Sequence, residues 1–526
     1  VPEPPPSTPA KSGFAPTLPE ADAARWQQAR QQLASGRAAE ALGTYVSLTR
    51  RLTGIAHLWF ECGLAAAAEL DFALAKRAFQ QARDLAPSDP SLLLALAQQY
   101  HRLRQPSFAR ACFQQAAGAD PDSTHARLSL AAWFERERDL AAAWQCVEAA
   151  RSHHPNDPNV LYYRAFLLHR RGETAAAETT LRDLLKADWR DPNLKVSCFH
   201  LLAVMLDELG QYPEALHWLD ESKKLARTLA NTAALEAAYD KADRARRQLL
   251  DTLSPALFRH WREQTPPSAM PRPLALLGGH PRSGTTLLEQ ILAAHPDIIA
   301  FDESEAFATE IWDHLAPAAA PPTDAQSLAS LSPSRCSTLR SRYYKSLFRE
   351  LDSAPPPGNV LIDKNPAPTA ALHLWLRLFP AGKIIIALRD PRDVILSCYF
   401  QQLTLTPMNV NFLSLERAAK HYSGLMDVWL RLRELGGFDW IETRYENFVS
   451  QLETEGRRVT EFLGLPWNEN QSRGHEAARR KVVFSPTYAD VTKPVHRRAI
   501  GRWQHYQQAL APALTLLAPY CQTFGY

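Results

Sequence analysis

Residues 274–288 read Leu-Ala-Leu-Leu-Gly-Gly-His-Pro-Arg-Ser-Gly-Thr-Thr-Leu-Leu, a short apolar strand that runs into a glycine-rich turn and opens a helix. Arg282, Ser283, Gly284, Thr285 and Thr286 therefore fall where free backbone N–H groups meet the positive end of a helix dipole, a cradle for a phosphate-like anion. The nucleoside-triphosphate loop G-x-x-x-x-G-K-[ST] carries lysine where this chain has Thr285, so the residue that reaches the β/γ-phosphates is missing and Arg282 becomes the nearest charge. A different activated donor is expected, and a P-loop kinase is disfavoured. A second basic cluster stands at another strand end, because the buried-strand run Lys383–Leu388 is followed at once by Arg389-Asp-Pro-Arg-Asp-Val-Ile-Leu-Ser397. Ligands of open α/β sheets lie outside the carboxyl ends of strands, so two anion sites are implied. The bland alternatives are an ordinary strand-to-helix turn and a structural pairing of Arg389 and Arg392 with Asp390 and Asp393.

These two segments, 281–286 and 389–397, resemble the phosphate-binding segments of sulfotransferases, which use 3′-phosphoadenosine 5′-phosphosulfate (PAPS) as donor and release PAP. The resemblance implies that the first loop holds the 5′-phosphosulfate and that Arg389 with Ser397 holds the 3′-phosphate. It narrows to a protein-tyrosine sulfotransferase of bacterial type. His295-Pro-Asp-Ile-Ile-Ala-Phe-Asp-Glu303 is similar to the segment of that branch whose second acidic residue is the catalytic base, which makes Glu303 the base by position. Ile362-Asp-Lys-Asn-Pro366 is similar to its Asn-Lys-Asp-Pro segment, and Tyr445 resembles its cofactor-contacting tyrosine. Residues 487–503 resemble its C-terminal cofactor loop, which adds Thr487, Lys493 and Arg502 to the donor-binding set. Thr487 stands where serine is usual, Arg502 where lysine is usual, and Gln401 where an arginine is expected.

The chemistry also follows without the family. Moving a sulfuryl group from a phosphosulfate to a hydroxyl needs in-line positioning, a base for the hydroxyl proton and positive charge on the departing phosphate oxygen, but no metal. Glu303 supplies the base if partial burial raises its pKa. Lys364, just past the strand Val360–Ile362, neutralises the leaving group, with Arg282 as the third catalytic candidate. Read alone, Glu303 is equally a residue at a helix N-terminus and Lys364 a solvated strand end; their joint occurrence favours the chemical roles.

These residues need a framework, and the first half of the chain has its own. Prolines 87, 121 and 155 lie 34 residues apart, and repeats set at 22, 56, 90, 124 and 158 put alanine at the twentieth position each time: Ala41, Ala75, Ala109, Ala143 and Ala177. The eighth position is small and the twenty-fourth large throughout. The pattern resembles tetratricopeptide repeats, with a looser sixth unit from about Pro192 to Leu225. The expected architecture is thus multidomain: an all-α tetratricopeptide-repeat superhelix, then an α/β P-loop-like sulfotransferase domain around a central parallel sheet. Its divisions are a disordered Pro-rich tail over 1–18, a helical array with capping helices over 19–264, a linker over 265–273, and the catalytic domain over 274–526. A Pro/Ala/Ser-rich insert, 316–334, reads as a mobile loop over the acceptor site.

The 526 residues carry 59 Lys plus Arg against 56 Asp plus Glu, a balance that makes no case for nucleic acid as a partner. Seven scattered cysteines without a C-x-x-C pair read as free thiols in a reducing compartment, and no zinc-ligand spacing appears. No apolar run reaches membrane-spanning length, so a cytoplasmic enzyme is expected, although the first residue is Val1 and a removed targeting segment stays open. The favoured function is transfer of a sulfuryl group from PAPS to a tyrosine in a peptide or protein held partly by the repeat groove. A carbohydrate or small-phenol acceptor with the repeats as an assembly scaffold, a non-catalytic repeat scaffold, and homo-oligomerisation all stay open.

Overall fold

The computed structural model describes residues 18–265, 272–315, 325–351, 355–474 and 496–526. The chain forms two compact units that divide between Leu184 and Leu185.

The first unit is helical. Its helices are α1 (Glu20–Ala34), α2 (Ala38–Arg51), α3 (Ala56–Ala68), α4 (Phe72–Leu85), α5 (Pro90–Arg102), α6 (Pro106–Ala119), α7 (Thr124–Arg136), α8 (Leu140–His153), α9 (Pro158–Arg170) and α10 (Thr174–Lys186). α3, α5, α7 and α9 start on the expected 34-residue grid. The alanines at position twenty are fully buried, as are Tyr45, Phe79, Val147 and Leu181 at position twenty-four. Small and large residues interlock across each hairpin: a Cβ on Gly63 would run into the ring of Phe79. Asp71, Ser123 and Asp139 each accept the N–H three residues on and so cap the helix that follows.

The turn between the two helices of a repeat is left-handed every time, at Gly36, Leu70, Arg104, Arg138 and Gly172. Three of the five are side-chain-bearing residues, each held against an intrinsic cost of roughly 1–2 kcal/mol by the helices on either side.

The second unit is built on a five-stranded, wholly parallel sheet of β1 (Leu274–Gly279), β2 (Ile298–Asp302), β3 (Val360–Lys364), β4 (Lys383–Leu388) and β5 (Trp440–Arg444), in the order β2-β3-β1-β4-β5. Alternate residues of each strand enter different cores, as the period of a strand requires: Leu274 and Leu276 of β1 face one, Ala275 and Leu277 the other. The second face is closed by α15 (Thr285–Leu292), which contributes Leu288, Ile291 and Leu292. The first face is closed partly by α11 (Pro192–Glu208), α12 (Tyr212–Thr228), α13 (Thr232–Thr252) and α14 (Pro255–Gln264). Ala203, Leu219, Leu249, Phe258 and Trp261 of these helices share one apolar core with the sheet. By packing, the sixth helix pair and the two helices after it are therefore part of the sheet-containing unit.

Two sequence expectations need correction. Lys364 is the last residue of β3, not a residue beyond it. The described part of the 316–334 insert is not a loop over a cleft: it forms the helix Ala325–Ala329 and the start of the helix Pro333–Phe348. Leu328 is buried, and Arg377 donates to the carbonyls of Leu328 and Leu331. The anchoring is apolar burial plus a guanidinium that itself needs buried acceptors. The 1–18 tail falls outside the described residues except for its last residue, and the linker outside them except at its ends.

Gly172 has φ 84° with nothing within 4 Å of a Cβ, whereas Gly43 lies inside α2 with equal space and no positive φ. Gly172→Ala should cost about 1–2 kcal/mol and Gly43→Ala should stabilise by about 0.5–1 kcal/mol, read from denaturant unfolding of the full chain. Equal effects of the two substitutions would remove the backbone explanation of the turn.

Candidate active site

The strand order reverses direction at β1, because the chain leaves β1 toward β2 on one side and leaves β4 toward β5 on the other. A crevice opens at the carboxyl ends of these strands, where α/β sheets place ligands. It is a cleft of about 530 Å³, and among the expected site residues Arg282, Gly284, Thr285, Thr286, Glu303, Arg389, Ser397, Tyr445 and Arg502 line it.

The glycine-rich loop is held from beneath. Gly279 N–H donates to Thr369 Oγ1 at 2.9 Å, and the Thr369 hydroxyl donates to the Gly279 carbonyl at 3.2 Å. Ser283 turns its hydroxyl back to the His280 carbonyl at 2.7 Å, so this residue braces the loop and does not face the cleft. Gly284 precedes α15 with φ 94°, and a Cβ there would meet the Tyr445 ring at 2.6 Å. Only glycine allows both the backbone angle and the close approach of Tyr445. His280 lies directly under the turn: its Nδ1 is 2.7 Å from the Pro281 carbonyl and its Nε2 2.8 Å from His421 Nδ1. A carbonyl only accepts, so His280 Nδ1 carries the proton, its Nε2 accepts, and His421 Nδ1 donates. Burial pushes His280 down to about 4 and His421 well below the usual imidazole range, so both rings stay neutral.

The two basic segments interlock. Arg282 Nε donates to Ser397 Oγ at 3.1 Å, while Arg389 Nη1 donates to the Arg282 carbonyl at 3.1 Å. Arg389 also reaches the Ala499 carbonyl and lies 5.1 Å from the Tyr445 ring centroid, yet its Nε is buried with no protein partner among the described residues. The bland pairing holds only in part. Arg392 does pair with Asp390, at 2.7 Å, but Asp393 accepts the N–H groups of Gly501 (2.7 Å) and Trp503 (2.8 Å) and so pins the turn that carries Arg502. Burial raises the pKa of Asp393 against the pull of Arg389 and those two N–H groups.

At the other end of the cleft the parallel register sets Asp302 opposite Lys364. The Lys364 amine is completely buried, 2.5 Å from Asp302 Oδ1, 3.2 Å from Glu303 Oε1 and 3.4 Å from Thr286 Oγ1. Burial opposes its charge, but the carboxylates of Asp302, Glu303 and Glu289 outweigh that and raise its pKa. Glu303 is left-handed, with φ 52°, and its N–H donates to the Lys364 carbonyl at 2.8 Å. That bend lifts a carboxylate, 36% exposed, over the end of the sheet while its oxygen keeps the lysine. Outside the repeat turns, Arg282 and Glu303 are the only side-chain-bearing residues with positive φ among those described, and both face the cleft.

Thr487 and Lys493 lie outside the described residues. Lys364 is not on the cleft wall itself but stands behind Thr286 and Glu303, which are. Sequence reasoning missed the wall formed by Leu403, Met408, Asn409 and Phe412, and also His496. No motif marks that wall; its only signal is the apolar content of the segment after Gln401. Among the described residues no cluster of His, Cys, Asp or Glu is arranged to hold a metal ion, all seven cysteines are free, and no helix is long and apolar enough to cross a membrane.

Residues 273–469 match the family model described as the sulfotransferase family. A protein-tyrosine sulfotransferase A of Caenorhabditis elegans is 22% identical over 271 residues, which is 48% of this chain and 67% of the worm protein. An uncharacterised Aquifex aeolicus protein is 24% identical over 345 residues, 64% of this chain, and the match spans 43% of the Aquifex protein. Among solved structures, the sulfotransferase domain of the Synechococcus PCC 7002 olefin synthase is 19% identical, covering 50% of this chain and 98% of that domain with a TM-score of 0.34.

The neutral His280–His421 pair has a pH signature. A folded pKa of about 4 against an unfolded value near 6.5 means the pair costs nothing above neutrality and loses stability as pH falls from about 6.5 toward 4, because the unfolded chain takes up protons that the fold refuses. The melting temperature should fall over that window, and His280→Gln should flatten part of the slope. A slope unchanged by the substitution would mean that the pair does not titrate in this way.

Proposed function

We propose that the second unit transfers a sulfuryl group from PAPS to a tyrosine hydroxyl of a peptide or protein. The observation that carries the reading is the convergence of an anion loop, a buried lysine, a strained exposed carboxylate and an incompletely satisfied arginine on one cleft. The fit of a 3′,5′-bisphosphorylated nucleotide rests on that arginine: among the described residues Arg389 Nε is a buried donor without a protein acceptor, beside Ser397 and the face of Tyr445. A buried unpaired donor is costly, and a phosphate oxygen would satisfy it. The loop N–H groups at the start of α15, with Arg282, supply the second anion site.

The residues then divide the work. Arg282 and the loop orient the phosphosulfate. The S–O bond to the 5′-phosphate breaks as the acceptor oxygen bonds to sulfur, and the phosphate oxygen keeps the electron pair. Lys364, already cationic in its carboxylate cage, offsets that charge through the Thr286 end of the loop. Glu303 takes the hydroxyl proton; its carboxylate is exposed enough to meet an acceptor and is held by the same lysine. The sulfotransferase-family match supports the reaction class, and the distant protein-tyrosine sulfotransferases support a tyrosine acceptor. The apolar wall of Leu403, Met408 and Phe412 offers a surface for a flat ring. Incubation with labelled PAPS and separate peptide, glycan and phenol pools tests the acceptor class directly; label entering the glycan pool alone would replace tyrosine with a carbohydrate. The repeat unit, whose stacking residues are buried, is proposed to hold part of the protein acceptor in its groove.

Glu303→Gln should lower turnover by about 10²–10⁴-fold while PAP affinity changes little. Glu305→Ala, which alters a neighbouring exposed acid, should leave turnover near the native value. Single-turnover kinetics and PAP calorimetry on both variants check this, and a Glu303→Gln enzyme of near-normal rate would return the residue to a structural role.

A further inference from the structure

The matched segment begins at residue 273, yet the cleft is braced by helices that precede it. α11 and α12 grip the chain where helix Pro391–Tyr399 ends, immediately after Ser397. His200 Nε2 lies 2.9 Å from the Phe400 carbonyl, Lys223 Nζ donates to the Gln401 carbonyl at 2.6 Å, Gln402 Nε2 donates to Ser197 Oγ at 2.9 Å, and the Tyr399 hydroxyl donates to Asp220 at 2.5 Å. Four contacts over four consecutive residues fix both the direction and the register of this segment.

The most consequential contact is at the far end of α11. Asp207 holds Arg502 by both carboxylate oxygens, with Nε at 3.2 Å from Oδ1 and Nη2 at 2.9 Å from Oδ2, and also accepts the Tyr506 hydroxyl at 2.6 Å. The guanidinium carbon lies over the Phe400 ring, 4.0 Å from its centroid, and Arg502 is on the cleft wall. An arginine free in solution loses rotamer freedom on meeting an anion, and a fork held by a carboxylate on one edge and a ring beneath it has lost that freedom in advance. Asp393 fixes the backbone on either side of Arg502, so its position is set by one aspartate through the main chain and by another through the side chain.

We propose that Asp207 is a positioning residue of the donor site, acting through Arg502, so that the α11–α12 helix pair, which precedes the matched segment, is a working part of the nucleotide cleft. This rests on the sulfotransferase reading above. Since Asp207 has no place on the cleft wall, its effect on the donor must pass through the arginine.

The test is a double-mutant cycle in the full-length protein, with PAP as the probe in calorimetry. Asp207→Ala and Arg502→Ala should each weaken PAP by about 10-fold, and the double variant should be no weaker than Arg502→Ala alone. In turnover assays Asp207→Ala should raise the KM for PAPS while the KM for the acceptor stays unchanged. Asp207→Asn, which keeps shape and one acceptor for Tyr506, should fold as the native chain by thermal melt and still show weakened PAP binding. Unchanged PAP affinity in Asp207→Asn and Asp207→Ala, or additive losses in the double variant, would overturn the inference. A native protein that does not bind PAP at all would instead overturn the donor reading on which it rests.

Discussion

A fully buried ammonium at the end of the central region of a parallel sheet constrains everything near it. Lys364 has no access to water, so its charge persists only because Asp302 and Glu303 are there to meet it. They are there because β2 and β3 pair in parallel with Asp302 opposite Lys364. A slip of one residue would turn the lysine to the opposite face of the sheet and leave either an unpaired cation or an unpaired carboxylate. The same register puts the Glu303 N–H on the Lys364 carbonyl, and so forces the bend that carries the Glu303 side chain to the cleft. Sheet register, ion pairing and the site carboxylate are thus one constraint.

The strain is distributed in a telling way. In the repeat unit, left-handed residues recur with the helix hairpin and do no more than reverse the chain. In the sheet unit, the two among the described residues that carry side chains are Arg282 and Glu303, one in the anion loop and one in the acidic cluster. Both conformations are held by bonds from neighbouring strand ends: the Arg282 carbonyl by Arg389 and the Glu303 N–H by Lys364. The cost of each is offset by the groups it meets, which is how a folded chain keeps a chemically useful arrangement ready before any ligand arrives.

Much of this was legible in the amino-acid sequence, for physical reasons. β1 is an apolar run ending in two glycines and β4, after Lys383, an apolar run followed at once by Arg389, and buried parallel strands have that form. The repeats announce themselves because a fully buried alanine tolerates no other size at the twentieth position. The end of β3 is hidden in the sequence because Asp363 and Lys364 break its apolar run, whereas the fold buries both. Asp363, bonded to Tyr343 at 2.6 Å, is pushed up to about 7 by burial. The place of α11–α14 was not legible: their apolar stripes satisfy a repeat as well as a sheet, and only packing decides between them. Asp207 likewise carries no local signal, since its partner lies 295 residues away in the chain. The apolar wall at 403–412 has no spacing rule at all, and Thr487 and Lys493 lie outside the described residues.

If the cleft is organised for a 3′-phosphorylated nucleotide, its arginines should read the 3′-phosphate and its missing P-loop lysine should make it indifferent to a triphosphate. The direct measurement is calorimetric binding of PAP, adenosine 5′-phosphate and ATP with Mg²⁺ to the native protein. PAP should bind at least about 10-fold more tightly than adenosine 5′-phosphate, with ATP and Mg²⁺ weaker than PAP. Tight binding of ATP with Mg²⁺, with PAP no better than adenosine 5′-phosphate, would contradict the account.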